Sequence, residues 1–160
     1  MDITKMKRSQ WLTFLNTTPG TNSATWALLG VGVTDFGLEY NPQVETEKWI
    51  VEDNARTTHE SNQLQGSVTQ QIYLGDPCYA FVNAARDQLN YKTEILIVDT
   101  TTEGTAKAAK KYDGTIAVTS YMSDTASIEY DLYFNGDPEN GTATIAGTGL
   151  DIVPTYAKTI

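Results

Sequence analysis

The chain has a single cysteine, Cys78, and a single histidine, His59. One cysteine excludes an internal disulfide framework and a cysteine-built zinc site. One histidine excludes the HExxH pattern and leaves His59 as the sole base available to any Ser-His-Asp arrangement. No apolar run approaches the roughly 20 residues of a membrane-spanning helix. No apolar stretch follows the basic residues of the first ten positions, so no signal peptide is expected. Positive charge is scarce: eleven Lys and Arg stand against twenty Asp and Glu, a net charge of −9. That excludes a general nucleic-acid binder, because phosphate affinity comes from clustered Lys and Arg. An acidic protein still faces DNA when its task is to let DNA pass.

Signatures of catalysis and cofactor binding are also missing. Gly30-Val31-Gly32 lacks the third glycine of a dinucleotide fingerprint and leads into a strand, so it reads as a turn. There is no Walker A sequence and no GxSxG elbow. Asn135, Asp137 and Glu139 superficially suggest a calcium loop, but Asn140 stands where the invariant glycine belongs. The carboxylates Asp35/Glu39 and Glu129/Asp131 come in pairs on wet strand faces. A catalytic pair needs two distinct environments to split its pKa values. His59 sits in the most polar stretch of the chain and reads as an exposed loop residue. Cys78 lies on an apolar helical stripe and reads as a small core residue. Trp11, Trp26 and Trp49 suit either sugar platforms or strand packing. The expectation is a protein that is not an enzyme, with no cofactor and no metal.

What is present is 160 residues of ordinary globular composition, the size of one domain spanning 1–160. The acids fall in two blocks. Residues 35–60 hold seven acids and two bases, and residues 113–160 hold seven acids and one base, Lys158. Residues 12–34 carry no charge.

Period-two alternation dominates the chain. Thr34, Phe36, Leu38 and Tyr40 alternate with Asp35, Gly37 and Glu39. Leu64, Val68, Ile72 and Leu74 share a face, with Gln65, Ser67, Thr69 and Gln71 opposite. Ile116, Val118 and Met122 alternate with Thr115, Ala117, Thr119 and Tyr121. Ile128, Tyr130, Leu132 and Phe134 alternate with Ser127, Glu129, Asp131 and Tyr133. Ile95-Leu96-Ile97-Val98 is apolar on both faces, as in a covered central strand. Thr25–Leu29 and Glu45–Val51 also read as strands. One helix is expected: Asp76 caps it, Pro77 opens it, and Cys78, Phe81, Val82, Ala85 and Leu89 form its stripe to about Asn90. Gly104–Lys111, rich in Ala and Lys, reads as a short helical turn. The expected fold is mainly β: an antiparallel β-sandwich or partial barrel with one flanking α-helix. A long hairpin with a mobile tip protrudes over residues 42–63. An N-terminal arm (1–11) and a C-terminal arm (139–160) flank the domain, and the tail Leu150–Ile160 of the latter is expected to be loose in a monomer.

The order of these parts resembles the major tail tube proteins of tailed bacteriophages, particularly long-tailed phages of Gram-positive hosts. The stretch that carries it runs from about Thr25 to Pro138. It begins with the strand Gly32-Val33-Thr34-Asp35-Phe36, followed by Asn41-Pro42 and the polar hairpin up to Trp49-Ile50. It continues with Tyr73-Leu74-Gly75-Asp76-Pro77 running into the helix, and ends with the strand from Ile128 to Asn135-Gly136-Asp137-Pro138. The resemblance implies a virion protein. Its subunits form homohexameric rings that stack into a hollow tube, through which genomic DNA is ejected into the host. Its partners would be further copies of itself, a tape measure protein, and tail terminator and baseplate proteins, with DNA in transient passage and no membrane insertion. Its place would be the phage tail, assembled in the host cytoplasm.

On that resemblance the wet faces line the channel through Asp35, Glu39, Ser67, Thr69, Gln71, Glu129 and Asp131. The competing reading is an ordinary acidic outer surface. Contacts between rings fall to Trp49, Ile50, Asp53, Asn54, Arg56 and His59. Trp49 and Ile50 would be anchors at the hairpin's base, unless they cap the subunit's own core. Two other identities stay open: a tube subunit of a bacterial contractile injection machine, and a β-sandwich carbohydrate-binding or adhesin module.

Overall fold

The alternating segments pair as antiparallel strands in a computed structural model that describes residues 1–160. Ten strands and one helix follow one another along the chain. They are β1 (Trp11–Asn16), β2 (Trp26–Leu28), β3 (Val33–Glu39), β4 (Pro42–Glu47), β5 (Arg56–Asn62), β6 (Gln65–Gln71), α1 (Pro77–Ala84), β7 (Tyr91–Asp99), β8 (Ala106–Met122), β9 (Ser127–Ala146) and β10 (Val153–Lys158). Eight strands form one sheet in the order β2-β1-β7-β8-β9-β6-β3, with β10 pairing along the second half of β9. The sheet curls into a half-barrel whose path ends at β2 and β3. β4 and β5 form a separate two-stranded ribbon, the expected protruding hairpin.

Alternation decides which side chains are dry. On one face Val68, Ile116, Ile128, Tyr130, Leu132 and Phe134 pack with Ile95 and Ile97 against Cys78, Phe81 and Val82 of α1. Each fully buried aliphatic side chain there contributes about 1.5–3 kcal/mol. On the opposite face Leu96 and Val98 join Phe14, Ala109 and Ala143 in a second, smaller cluster. β7 is therefore covered on both sides, as its unbroken apolar run implies. β10 lies near β2, and Ile152 and Tyr156 pack on the second cluster. Gly141 makes room for this, since a Cβ there would stand 2.5 Å from the Tyr156 ring.

The helix starts as its sequence dictates. The Asp76 carboxylate accepts hydrogen bonds from the backbone N–H of Cys78 (3.2 Å) and Tyr79 (3.3 Å), and Pro77 occupies the first helical position. It ends at Ala84, short of Asn90, and Leu89 lies fully exposed beyond it.

Other expectations are also corrected. Residues 106–111 are strand, because Ala and Lys helix propensity yields to pairing with β7 and β9 on both edges. β1, absent from the sequence reading, pairs with both β2 and β7. The C-terminal segment is not loose: Val153–Lys158 pairs residue by residue with Gly141–Ala146. A bulge between Val33 and Asp35 leaves Thr34 exposed, its hydroxyl donating to the Thr69 carbonyl at 3.3 Å. A second bulge, between Val118 and Ser120, pairs Tyr121 with Ile128 and so turns it toward the helix side, where Arg86 stacks 4.2 Å over its ring. Tyr40 and Leu74, expected on dry faces, are exposed, and Ser127, expected on the wet one, is buried. No helix is long and apolar enough to cross a membrane.

Candidate channel and assembly surfaces

Strand register brings the expected channel residues into rows. Asp35 pairs with Thr69, Thr69 with Glu129 and Glu129 with Ser120. The next row is Gly37, Ser67, Asp131 and Ala117. The third is Glu39, Gln65, Tyr133, Thr115 and Lys92. Directly paired residues of antiparallel strands point to the same side. The rows therefore share one face of the sheet, opposite α1. Gln71 extends it at the end of β6, opposite Ser127. Sequence reasoning had not given Tyr133, Thr115, Lys92, Gln65 or Ser120 a channel role. Alternation already placed Tyr133, Thr115 and Gln65 on wet faces, but only pairing shows that they complete the rows.

Over these rows the face is polar and mostly uncovered. Asp35, Glu39 and Ser67 are exposed, and Thr69, Gln71, Glu129 and Asp131 are half-buried. Ser67 Oγ donates to Asp131 Oδ1 at 2.9 Å, which orients that carboxylate in its row. Lys92 Nζ and Asn135 Nδ2 both donate to Thr115 Oγ1, at 3.0 and 3.1 Å. None of Asp35, Glu39, Glu129 and Asp131 takes part in an ion pair. Two bases of the sheet pair away from these rows: Lys111 lies 3.5 Å from both Glu94 and Glu139, and Lys158 lies 3.1 Å from Glu139. The first two rows contain no base, and in the third Lys92 makes no ion pair.

The hairpin is the second surface. Every strand residue of β4 and β5 is exposed, so the ribbon has no core. At its root, Gln63 N–H donates to the Tyr40 carbonyl (2.9 Å) and Asn41 Nδ2 to the Gln63 carbonyl (3.1 Å). Strand pairing stops at Glu47 and Arg56. Trp49 and Ile50 therefore sit at the tip, not the base, and do not cap the subunit's own core. Ile50 is fully exposed, Val51 nearly so, and Trp49 half exposed. The tip is nonetheless held in shape. Arg56 stacks 4.2 Å over the Trp49 ring and makes a two-pronged ion pair with Glu52. Trp49 Nε1 donates to Glu47 Oε1 at 3.2 Å. The Arg56 guanidinium holds the Glu52 carboxyl below its usual range. Asp53 and Asn54 are exposed beside this cluster. His59 lies lower, on β5, with Nε2 2.7 Å from Asn62 Oδ1. It is not brought together with the tip residues.

The third feature is a trough at the open seam of the half-barrel. A cavity of about 720 Å³ is walled by Leu12, Leu28, Phe36 and Leu38, with Trp11 and Tyr40. A second cavity of about 400 Å³ shares Trp11, Leu38 and Tyr40 and reaches Tyr112. Arg8 and Lys110 are the bases in these walls and Asp99 the acid. No motif announced this trough, because its walls come from strands at opposite ends of the sheet.

No group of three or more His, Cys, Asp or Glu side chains is placed to hold a metal. Cys78 is fully buried, and burial followed by the nearby Asp76 carboxylate pushes its thiol far above the usual range. No known protein-family model matches the chain, and no characterised protein matches it in sequence.

Proposed function

We propose that the protein is a structural subunit that polymerises into a hollow tube, the tail tube of a long-tailed bacteriophage, and that its acidic face lines the bore through which DNA leaves. The observation that carries this reading is the in-register wet face of β3, β6, β9 and β8. It places four carboxylates among hydroxyls and amides on one side of a sheet, without an ion pair among them. A basic lining would hold phosphates; an acidic one lets them slide.

Two further features support assembly. A two-stranded ribbon with no core is marginal in water by itself, so a partner gives it a purpose. The subunit also carries a projecting apolar tip and a separate apolar trough. Such unlike surfaces suit heterologous contacts, which close around a ring or continue along an axis. In this reading the rings are homohexamers, the ends of the tube meet terminator and baseplate proteins, and a tape measure protein occupies the bore before DNA does. The protein then belongs to the virion and carries no catalytic function.

The test is sizing of the purified protein over a concentration series, with electron micrographs of the most concentrated samples. Rings and stacked tubes with a central channel are expected. A strict monomer at high concentration and low salt rejects the tube.

A further inference from the structure

We propose that the seam trough of one copy is the seat for the hairpin tip, Trp49-Ile50-Val51, of the next copy. The proposal rests on the assembly reading in that the occupant is a second copy of this chain.

The tip does not reach its own trough. The hairpin departs at Asn41, directly after Tyr40, which is part of the trough wall. From there β4 runs six residues before the turn, and at about 3.3 Å per residue the tip stands roughly 20 Å away from its root. Full exposure of Ile50 shows that nothing in the same chain covers it. Trough and tip therefore lie at different places on one molecule. A contact between them joins copies head to tail and leaves a free tip and a free trough at the two ends.

The two surfaces match in character. The tip offers one aromatic and two aliphatic side chains. The trough's 720 Å³ falls within the range of about 300–1,000 Å³ that encloses a drug-sized molecule, and its walls are mostly apolar. An aromatic anchor entering a pocket is the usual centre of a strong contact. Charge is complementary as well. The hairpin from Pro42 to Asn62 carries five acids and two bases, and Arg56 is already bound to Glu52. The trough walls hold two bases, Arg8 and Lys110, against one acid, Asp99, and Arg8 follows Lys5 and Lys7 in the basic N-terminal arm. With Glu52 paired to Arg56, the charges left beside the tip are Glu47, Lys48 and Asp53, net negative, and they meet the basic side of the next copy, while two arms repel one another.

The experiment uses disulfide trapping, which the chain suits because its one cysteine is fully buried. Full-length protein carrying both Ile50→Cys and Ser9→Cys is oxidised at assembling concentration. Ser9 is an exposed residue of the trough wall and Ile50 is fully exposed, so neither change disturbs the core. A ladder extending beyond dimers is expected, with the link between position 50 and position 9 identified by peptide mass spectrometry. The control pairs Ile50→Cys with Leu89→Cys, equally exposed but outside the trough, and should give no such ladder. Adding Ile50→Asp in place of the thiol at the tip should abolish assembly through this contact. Tubes in micrographs with no 50-to-9 link overturn the seat and leave the tube reading standing. A 50-to-9 ladder without tubes supports the seat and counts against the tube. Links only between two tips, or no link and no assembly, overturn the seat.

Discussion

Tyr130 donates its phenolic hydroxyl to Gln70 Oε1 at 2.9 Å, deep in the core between sheet and helix. Gln70 is itself fully buried. Its Nε2 donates to Asp76 Oδ2 and to the Val31 carbonyl, both at 2.8 Å. Asp76 in turn caps α1. One amide thus ties β9, the turn after β2 and the helix N-terminus together. Burial, chiefly, drives the Tyr130 hydroxyl far above its usual range, so it remains a donor at every working pH.

Tyr130→Phe should therefore cost about 1–3 kcal/mol, the usual penalty for leaving a buried acceptor unsatisfied. Urea unfolding with an unchanged slope would report it. Because the acidic face and the hairpin lie elsewhere, the variant should assemble as the parent does once folded. A variant as stable as the parent would mean that water replaces the phenol at Gln70.

Docking of the C-terminal strand should depend on pH at both ends of the scale. Glu139 is held below its ordinary 4.5, first by the hydrogen bond from Lys158 and further by Lys111 and Tyr156. A depressed carboxylate stabilises the fold above its unfolded value and loses that contribution as pH falls through its folded value. Tyr156 is pushed up to about 12 by burial and then by Glu139. A raised phenol stabilises the fold below 10 and loses that contribution as pH rises toward 12. Protection of the Val153 and Thr155–Lys158 amides, relative to their intrinsic exchange at each pH, should fall at acid pH below 4.5 and again above 10. Glu139→Gln should remove most of the acid limb. Protection in β10 that stays constant across both windows would show that strand pairing alone holds the tail.

Replacing Lys48–Ala55 by Asn-Gly should leave the domain folded and prevent long assemblies. The pair Glu47–Arg56 closes the ribbon, and Asn-Gly makes the tight turn that a two-residue hairpin requires. The main sheet does not pack on the tip, so the unfolding midpoint should move by less than about 0.5 kcal/mol equivalent, as for surface changes. Micrographs and sizing then report assembly. Normal tubes from this variant would show that the tip makes no essential contact.

Alternation alone places Phe36 and Leu38 on the dry side of β3, and Tyr130, Leu132 and Phe134 on the dry side of β9. The doubly apolar run of β7 reveals that it is covered on both faces. The Asp76-Pro77 signal marks the helix start because capping is local chemistry. What stays hidden is set by tertiary partners. Trp11–Asn16 shows no alternation, since Phe14 packs on one face and Leu15 on the other. Ala106–Lys111 has the composition of a helix and becomes strand only because β7 and β9 flank it. Gln70 falls on the dry face between Val68 and Ile72, but nothing in the sequence shows that Tyr130 and Asp76 close around it. The channel rows follow the same logic. Sequence tells which side Asp35 and Glu129 take, but their meeting across Thr69 depends on register, and the trough on how the sheet curls.

Replacing Asp35, Glu39, Glu129 and Asp131 together by lysine tests the channel. The four residues sit on strand positions whose side chains leave the core, so the fold should survive. Lys92 already shows that the third row accommodates a lysine. Asp131 has the most to lose, because Ser67 donates to it. Asp131→Asn, which keeps an acceptor there, separates a local packing defect from an effect of charge. If six copies surround a bore, the change turns rings of negative charge into rings of positive charge, repeated at every stacked ring. Phosphates passing through would be held rather than repelled, and long-range contributions would fall with added salt on the scale of the Debye length, about 10 Å at 0.1 M. Phage carrying such tubes, once micrographs confirm that the tubes form, should eject DNA slowly or incompletely at low salt and recover as salt is raised. The same substitutions on an outer surface would leave ejection untouched and alter only solubility. Unchanged ejection at low salt from intact tubes would therefore assign this acidic face to the outside of the particle.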